Sequence, residues 1–375
     1  MKTMFLFIPL IFLSVFSTWG ISPEKTKEVI IDLTSDKNVK ESGVFKIDKI
    51  VKLETTNDCL LRPINKVIHH DGKLFIQTQI IKGGEIFAFE ESGKFLYGIK
   101  CGRGSNEISS ALDFTIDPKN NQIMVPEFYK WTKVFDLEGR YVKTLTTPSV
   151  VNIATVGDNL IGFDSDLPKD WSHFCQIQEG GKVIKQFMPK PQGLLRYTSF
   201  VHPCPFTRID KDNILVCDLF TDTIYCVSEQ GHKVWPRYVL NYRGRSCNTP
   251  ARMKEMSSVG DYFKLCQASN YGSGAQQATQ VGDMLFFHII KQTGEYVTYN
   301  GKNKQTIRYS QMLDESIPGA LVGNDEHHVI FSASISQLLK FFNEKNPTDT
   351  EIIRQLKAAC VREDDNPILL FCTFK

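Results

Sequence analysis

The chain has 375 residues, of which 44 are basic and 42 acidic, so its net charge is only +2. This balance excludes the strongly basic surface that nucleic acid or an anionic membrane would require in a partner. Ten cysteines in a chain of this length are also too few for a disulfide scaffold.

The first twenty residues have the order of a secretory signal peptide. Lys2 precedes an apolar stretch at 4–16, and small residues follow at 17–20. That stretch is too short to span a membrane comfortably, and no cysteine lies near the junction to carry a lipid anchor. We therefore expect residues 1–20 to be removed on export to the periplasm or the extracellular space. A buried first strand and an uncleaved membrane anchor are the alternatives, and the mature chain is expected to have no transmembrane segment.

A repeated pattern of strands and tight turns fills the chain from about residue 67 to 336. Asn, Asp and Gly tolerate the positive φ angles of hairpin turns. Six such turns precede apolar runs, about 51 residues apart on average, which is typical of propeller blades. The turns are Asp71-Gly72, Asn120-Asn121, Gly157-Asp158, Asp212-Asn213, Gly282-Asp283 and Asn324-Asp325. The pattern predicts an all-β fold, a six-bladed β-propeller.

Both ends of the chain predict how the ring closes. Residues 45–53 alternate like a strand, and 366–374 form a last strand, so the N-terminal strand is expected to join the last blade. Residues 349–360 have helical spacing with Thr348 as a possible cap, which predicts a short helical insertion in that blade. The predicted organisation is a signal peptide at 1–20, an N-terminal segment at 21–44 and one propeller domain at 45–375.

Two segments offer candidate ligand contacts. Gly102 and Gly104 flank Arg103, and such a loop cradles an anion or simply joins two blades. Arg103 and Glu107 are candidates to reach the central channel. At the tip of the next blade, Glu127, Tyr129 and Trp131 combine aromatic rings with charge, which suits a sugar or a peptide. The alternative is a tip packed on its neighbour.

One pair of cysteines and two pairs of histidines are considered for a disulfide bond and for metal binding. Cys217 and Cys226 flank a hairpin tip symmetrically, so they either face each other across it or lie buried and reduced. Adjacent residues of a strand point to opposite faces. The pairs His69-His70 and His327-His328 therefore cannot each supply both rings to one metal ion, and we predict structural roles for them.

Six stretches of the chain carry a resemblance to a known family. They are 91–95, 102–107, 114–117, 222–225, 238–244 and 363–370. These stretches resemble the family of exported six-bladed propellers of Bacteroidetes, which is related to NHL-repeat propellers. Where that family reads G-x-G-P-x-E, this chain has Ser105 in place of the proline. The resemblance covers roughly residues 45–375, and it implies the fold without an activity.

The sequence names no catalytic residue, metal ligand or cofactor. We predict an exported binding or scaffold protein whose ligand, a glycan, a peptide or another small molecule, lies at the channel mouth or on the top loops. A protein partner is a further possibility. The alternative is a lactonase-like, metal-dependent hydrolase or lyase, for which Asp117, Glu127, Asp218 and Asn270 are suitable oxygen donors.

Overall fold

The computed structural model describes residues 25–34, 39–61, 63–78, 84–99, 101–104, 106–127, 131–164, 172–178, 180–189, 205–228, 233–268, 270–291 and 295–375. Most of these residues lie in strands, so the predicted all-β class is confirmed. The predicted signal peptide lies outside the described residues. Within the described part of the chain, no helix is long and apolar enough to cross a membrane.

Three sheets each consist of four antiparallel strands that follow one another in the chain. Two strands precede them, β1 (Lys27–Ile30) and β2 (Val39–Lys52). Sheet 1 contains β3 (Ile64–His70), β4 (Lys73–Thr78), β5 (Ile86–Glu90) and β6 (Phe95–Ile99). Sheet 2 contains β7 (Thr115–Asp117), β8 (Gln122–Glu127), β9 (Trp131–Asp136) and β10 (Tyr141–Thr146). Sheet 3 contains β11 (Val150–Val156), β12 (Asn159–Asp164), β13 (Ser172–Ile177) and β14 (Val183–Pro189).

The other two sheets recruit the N-terminal strands. Sheet 4 contains β15 (Phe206–Arg208), β16 (Asn213–Val216), β17 (Thr223–Ser228) and β18 (Lys233–Asn241), and β1 adds to β18 in parallel. Sheet 5 has eight strands. They are β19 (Gln276–Val281), β20 (Met284–Ile289), β21 (Glu295–Asn300), β22 (Gln305–Leu313), then β2, and finally β25 (Ile368–Phe374), β24 (Val329–Ala333) and β23 (Ala320–Asn324).

The predicted turns and the predicted closure both agree with the strand pairing. Each of the six turns joins two antiparallel neighbours, and Asp71 and Asn121 adopt the positive φ angles of 50° and 51° that the turn residues were expected to allow. Strand β2 pairs with the final strand β25, from Phe45 opposite Phe374 to Lys52 opposite Ile368. The chain's first long strand therefore fastens its last one.

The prediction of six separate blades needs correction, because the strands form four separate blades and one continuous eight-stranded sheet. The reason is the length of β2, whose C-terminal half pairs antiparallel with β25 while its N-terminal half pairs parallel with β22. Phe45 marks the junction: its ring lies 4.9 Å from that of Phe286 in β20 and 5.3 Å from that of Phe331 in β24.

The N-terminal segment predicted at 21–44 also contains a strand that the sequence pattern did not indicate. Strand β1 pairs with Tyr238 to Asn241 of β18. Val29, Ile31 and Leu33 are buried against sheet 4 and sheet 5. This segment is therefore part of the propeller-like core and not an appendage to it.

Helices occur in two insertions. Between β18 and β19 lie α1 (Pro250–Glu255) and α2 (Val259–Ala268), which were not predicted. Between β24 and β25 lie α3 (Ile335–Lys345), also not predicted, and α4 (Glu351–Ala359), which matches the predicted helix. The cap differs from the prediction: Thr350, not Thr348, accepts the hydrogen bond from the backbone N–H of Ile353 at 3.3 Å.

Candidate functional site

A cavity of about 520 Å³ lies where the first strands of the antiparallel runs meet. Its wall takes residues from β3, β7, β11, β15, β19 and β23, for example Lys66, Thr115, Ala154, Arg208, Thr279 and Leu321. The strands at the two ends of this series, β3 and β23, touch each other. Gly323 lies so close to Val67 that a Cβ atom there would come within 2.2 Å of the Val67 carbonyl oxygen. The cavity is thus the centre of the propeller-like arrangement.

Two cations on the cavity wall are already held by protein acceptors. Lys66 Nζ donates to Asp113 Oδ1 and to the Phe114 carbonyl oxygen, both at 2.7 Å. Arg208 Nη2 donates to the carbonyl oxygen of Thr155 at 2.6 Å and to its hydroxyl oxygen at 3.0 Å. Because these donors are engaged, an anionic ligand would have to compete with the protein for them.

A negative charge is fixed at one mouth of the cavity by Asp325, in the turn after β23. Its carboxylate oxygens lie 3.2 Å from His69 Nδ1 and 3.2 Å from His328 Nδ1. The backbone N–H groups of His327 and His328 donate to Oδ1 at 2.8 Å and 2.7 Å. Burial raises the pKa of Asp325, but the hydrogen bonds from His69 and from these two N–H groups outweigh burial and hold that pKa well below its usual value.

The same mouth is braced from neighbouring strands. His69 Nε2 lies 3.9 Å from Glu91 Oε2, and Lys49 Nζ of β2 donates to Glu91 Oε1 at 2.7 Å. The bond from Lys49 lowers the pKa of Glu91. His70 turns the other way, with its Nε2 3.3 Å from Asn121 Oδ1. The predicted divergence of the His69 and His70 rings is therefore confirmed.

Strand β19 contributes polar groups of a different kind to the wall. A register shift between Gln276 and Thr279 interrupts its pairing with β20, and Gln277 within it has a φ of 49°. Thr279 lines the cavity, yet its buried hydroxyl oxygen has no hydrogen-bond partner among the described residues. A buried polar group without a partner costs free energy, which a ligand hydroxyl or a water molecule would offset.

Behind that wall lies a second incompletely bonded side chain, His288 of β20. Its Nδ1 lies 3.1 Å from Gln276 Oε1, while its buried Nε2 has no partner among the described residues. Burial lowers the pKa of His288 to about 4, so this ring is neutral at neutral pH.

The loop with Arg103 joins sheet 1 to sheet 2, as the inter-blade interpretation predicted. Its glycines do surround an anion, but that anion is the chain's own Glu107. The Gly104 N–H donates to Glu107 Oε2 at 2.7 Å, and a Cβ at Gly102 would lie 1.9 Å from the same oxygen. Arg103 is exposed on this loop.

Glu127 and Trp131 lie at facing ends of β8 and β9, and Tyr129 lies outside the described residues. Glu127 is buried and accepts the N–H of Ser109 at 2.7 Å, whereas Trp131 is 48% exposed. Lys133 brings two of the predicted residues together: its Nζ donates to the carbonyl oxygen of Glu107 and lies 3.9 Å from Glu127 Oε1.

The predicted residues and the cavity lie at different ends of the strands. Glu127 ends β8, whereas the turn before β8, with Asn121, lies beside His70 of the cavity mouth. Arg103, Glu107, Glu127 and Trp131 do not line the cavity. Most of the cavity residues were missed because they lie in the strand before each predicted turn, where they look like ordinary strand residues. Others, such as Asp71 and Asp325, belong to the predicted turns and were interpreted only as turn residues. The shared position of the strand residues before the six turns is the signal that identifies them.

The oxygen donors considered for a channel metal are separated in the structure. Asp117 accepts the N–H of Lys119 at 3.0 Å in its own turn, and Asp218 accepts the N–H of Phe220 at 3.3 Å in another. Glu127 is occupied as described above, and Asn270 is exposed. Across the described residues, no group of three or more His, Cys, Asp or Glu side chains has the arrangement of a metal site.

Cys217 and Cys226 are both buried, and no disulfide joins them. Their symmetric spacing did not make them face each other, because the strand register places Cys226 opposite Leu215. Of the two alternatives, the structure therefore supports two buried cysteines that do not face each other.

One solved structure is similar to this chain over almost its full length. It is a candidate exported protein from Bacteroides fragilis NCTC 9343, with a TM-score of 0.77, 17% identity, and coverage of 94% of this chain and 100% of that one. Two other solved structures are less similar. U3-55K has a TM-score of 0.42 and 11% identity, and the match covers 76% of this chain and 77% of that one. BamB from Moraxella catarrhalis has a TM-score of 0.40 and 10% identity, and the match covers 78% of this chain and 86% of that one. At such low identity, the Bacteroides protein shows the fold alone.

Among curated proteins, none matches this chain. A family model covers nearly all of the described propeller-like region, from residue 28 to residue 373. The chain therefore belongs to the family described as a domain of unknown function, DUF4934.

Proposed function

We propose that this chain is an exported binding protein whose central cavity holds a small, neutral, hydroxyl-bearing molecule such as a sugar. The observation that carries the proposal is the cavity itself. Its volume of about 520 Å³ falls within the range of about 300–1,000 Å³ that small-molecule sites occupy.

The wall chemistry supports a neutral ligand with both apolar and polar faces. Ile116, Ile153 and Phe206 supply apolar surface, while Gln277 and Thr279 supply polar groups. The carboxylate of Asp325 disfavours anions at the mouth of the cavity. Lys66 and Arg208 already donate hydrogen bonds to protein oxygens, so they would bind an anionic ligand only weakly. The hydroxyl of Thr279 gains a partner when a hydroxyl-bearing ligand binds.

Thr279→Val tests this proposal, because it removes the hydroxyl and keeps the shape of the side chain. The chain and its variant are titrated calorimetrically with a panel of mono- and disaccharides. We expect at least one sugar to bind, and the variant to bind it about tenfold more weakly, the effect of one lost hydrogen bond of about 1.4 kcal/mol.

Thr298→Val is the matched control, since Thr298 is buried in β21 but does not line the cavity. Its affinity should equal that of the unmodified chain. A panel without any binder, or equal losses in the two variants, would contradict the proposal. Calcium or chelator titration in the same calorimeter addresses the metal-dependent hydrolase alternative, which predicts a bound cation.

The proposal includes a six-bladed ring. Sheet 5 divides naturally where β22 meets β2 in parallel, leaving an antiparallel run β19 to β22 and a second run of β23, β24, β25 and β2. With sheets 1 to 4, these runs make six. The six strands that line the cavity are one from each run. A relation to NHL-repeat propellers remains part of the proposal and rests on the sequence resemblance.

Export is proposed from two observations. Residues 1–20 have the order of a signal peptide, and the similar Bacteroides structure is itself described as a candidate exported protein. N-terminal sequencing of protein recovered from a periplasmic fraction tests this. A chain that still begins at Met1 would contradict cleavage.

The opposite face of the ring is proposed as a second contact surface, for a sugar acid or a peptide carboxylate. Arg103 and Trp131 are exposed, and Lys133 contacts both the Glu107 carbonyl oxygen and the Glu127 carboxylate. An Arg fork beside an aromatic ring is suited to a carboxylate on a flat ligand. Tyr129 belongs to this proposal through its place in the sequence.

A further inference from the structure

The insertion between β18 and β19 contains two cysteines whose sulfur atoms almost touch. Cys247 follows β18, Cys266 lies in α2, and their Sγ atoms are 2.9 Å apart. Both residues are fully buried. They lie in a small apolar cluster with Leu219, Met253 and Tyr262.

Hydrogen bonds anchor the two segments that carry these cysteines. The Cys247 N–H donates to the Gly272 carbonyl oxygen at 2.8 Å. The hydroxyl of Tyr262, one helical turn before Cys266, donates to the carbonyl oxygen of Leu219 at 2.5 Å. Each anchor lies outside the pair itself, so the two sulfur atoms are brought together by the packing around them.

We propose that Cys247 and Cys266 form a disulfide bond when the chain folds in an oxidising compartment. The bond is independent of ligand binding, and only its occurrence in the cell rests on the proposed export. A disulfide has an S–S length of about 2.05 Å, so the sulfurs need to approach by less than about 1 Å. The bond would clamp α2 onto the segment that follows β18.

The bond forms by thiol–disulfide exchange with a small or protein-borne disulfide. One cysteine thiolate attacks the oxidant, releases one thiol and makes a mixed disulfide; the second thiolate then displaces the other thiol. Two protons leave the cysteines, and two electrons pass to the oxidant, whose S–S bond is broken. The hydrogen bond from Cys266, together with burial, raises the pKa of the Cys247 thiol, so exchange is favoured before the insertion has packed.

The test counts thiols in the full chain refolded in a mixture of oxidised and reduced glutathione. The protein is alkylated under denaturing conditions without reductant, and its intact mass is compared with that of a reduced sample. We expect two fewer alkylated cysteines among the ten of the sequence. Peptide mapping should give a linked pair that contains Cys247 and Cys266.

Alkylation of every cysteine, or a bridge between other cysteines, would overturn the proposal. Protein exported to a bacterial periplasm is measured in the same way. Periplasmic protein in which every cysteine is alkylated would overturn the proposal. A chain that is recovered only from the cytoplasm would contradict the proposed export, and a bond found on refolding would then still stand.

Variants connect the bond to stability. Reductant should lower the melting temperature of the oxidised chain by at least about 3 °C. It should have no such effect on the variant that combines Cys247→Ser with Cys266→Ser. Cys217→Ser is the control, since Cys217 is buried elsewhere, and it should keep the full response to reductant. Equal responses of the double variant and the unmodified chain would count against the bond.

Discussion

His69 Nδ1 lies 3.2 Å from Asp325 Oδ2, although 256 residues separate the two in the chain. The contact joins the first strand of sheet 1 to the turn that follows β23. Together with the pairing of β2 and β25, it ties the beginning of the propeller-like region to its end. Loss of this contact should therefore weaken the junction between the two ends of the propeller-like region as well as the local turn.

Asp325→Asn should lower the free energy of unfolding by about 1–3 kcal/mol at pH 7, the size of charged hydrogen bonds. The pKa of Asp325 is lowered in the folded chain, so its contribution is complete above the ordinary aspartate pKa near 4 and is lost as the pH falls below it. Urea unfolding at pH 7, 5, 4 and 3 should show a shallower acid slope for the variant. Asp364→Asn, at an exposed site, should match the unmodified chain.

Asn366→Ala should destabilise the chain by about 3 kcal/mol, because it leaves one buried and two partly buried backbone groups without this partner. The side chain of Asn366 donates to the carbonyl oxygens of Glu54 and Cys59 at 2.7 Å and 2.6 Å, and accepts the N–H of Leu61 at 2.7 Å. Denaturant unfolding measures the loss. Asn303→Ala, at an exposed turn, should change stability by less than about 0.5 kcal/mol. Equal effects would show that Asn366 does not fasten the closure.

Ile31→Ala should cost about 2–4 kcal/mol, whereas Ile30→Ala should cost less than about 0.5 kcal/mol. Ile31 is fully buried against sheets 4 and 5, and its neighbour Ile30 is 45% exposed. Thermal and urea unfolding of both variants provide the comparison. Similar values for the two would mean that β1 is not docked on β18.

The sequence was sufficient for features set by local geometry. Turns such as Asp71-Gly72 need residues that tolerate positive φ, and those residues are visible in the sequence. The pairing of β2 with β25 followed from the need to remove open edges. Features set by distant packing were not visible: β1 is too short to show a strand pattern, and its burial depends on a partner about 200 residues away in β18.

The candidate site also has some features that the sequence reveals and others that depend on distant packing. Exposed loops with aromatic or charged residues, such as those with Arg103 and Trp131, attract notice in a sequence. The cavity depends instead on which residue of each first strand faces the centre. Thr279 became a candidate only because its hydroxyl is buried without a partner, and this is a property of the folded chain. Likewise, the near contact of Cys247 and Cys266 depends on where α2 packs.

His288→Gln should flatten the pH dependence of stability between about pH 6.5 and 4. Burial lowers the pKa of His288 to about 4 in the folded chain, so the unfolded chain binds a proton first as the pH falls. The free energy of unfolding should therefore fall by up to about 3 kcal/mol as the pH falls from 6.5 to 4. Urea unfolding across this range measures the slope. His327→Gln, at an exposed ring, should retain the slope; a slope that survives in His288→Gln would contradict the burial argument.

Trp131→Ala should leave the melting temperature nearly unchanged, because the side chain is 48% exposed. Glu127→Gln should lower the melting temperature, since this buried carboxylate accepts the N–H of Ser109 and lies beside Lys133. If the second surface binds a sugar acid or a peptide carboxylate, Trp131→Ala and Arg103→Ala should each weaken binding by about 1–3 kcal/mol.

Val142→Ala is the control for these variants, because Val142 is 45% exposed on β10 and the residue of β10 that pairs with Trp131 is Thr146. It should change neither affinity nor melting temperature. Differential scanning fluorimetry separates folding from binding, and calorimetric titration with uronic acids and short peptides measures the affinity. A large fall in melting temperature for Trp131→Ala would identify Trp131 as a packing residue between neighbouring elements. In that case the second surface would lose its aromatic contact, and Arg103 alone would be too weak a basis for it.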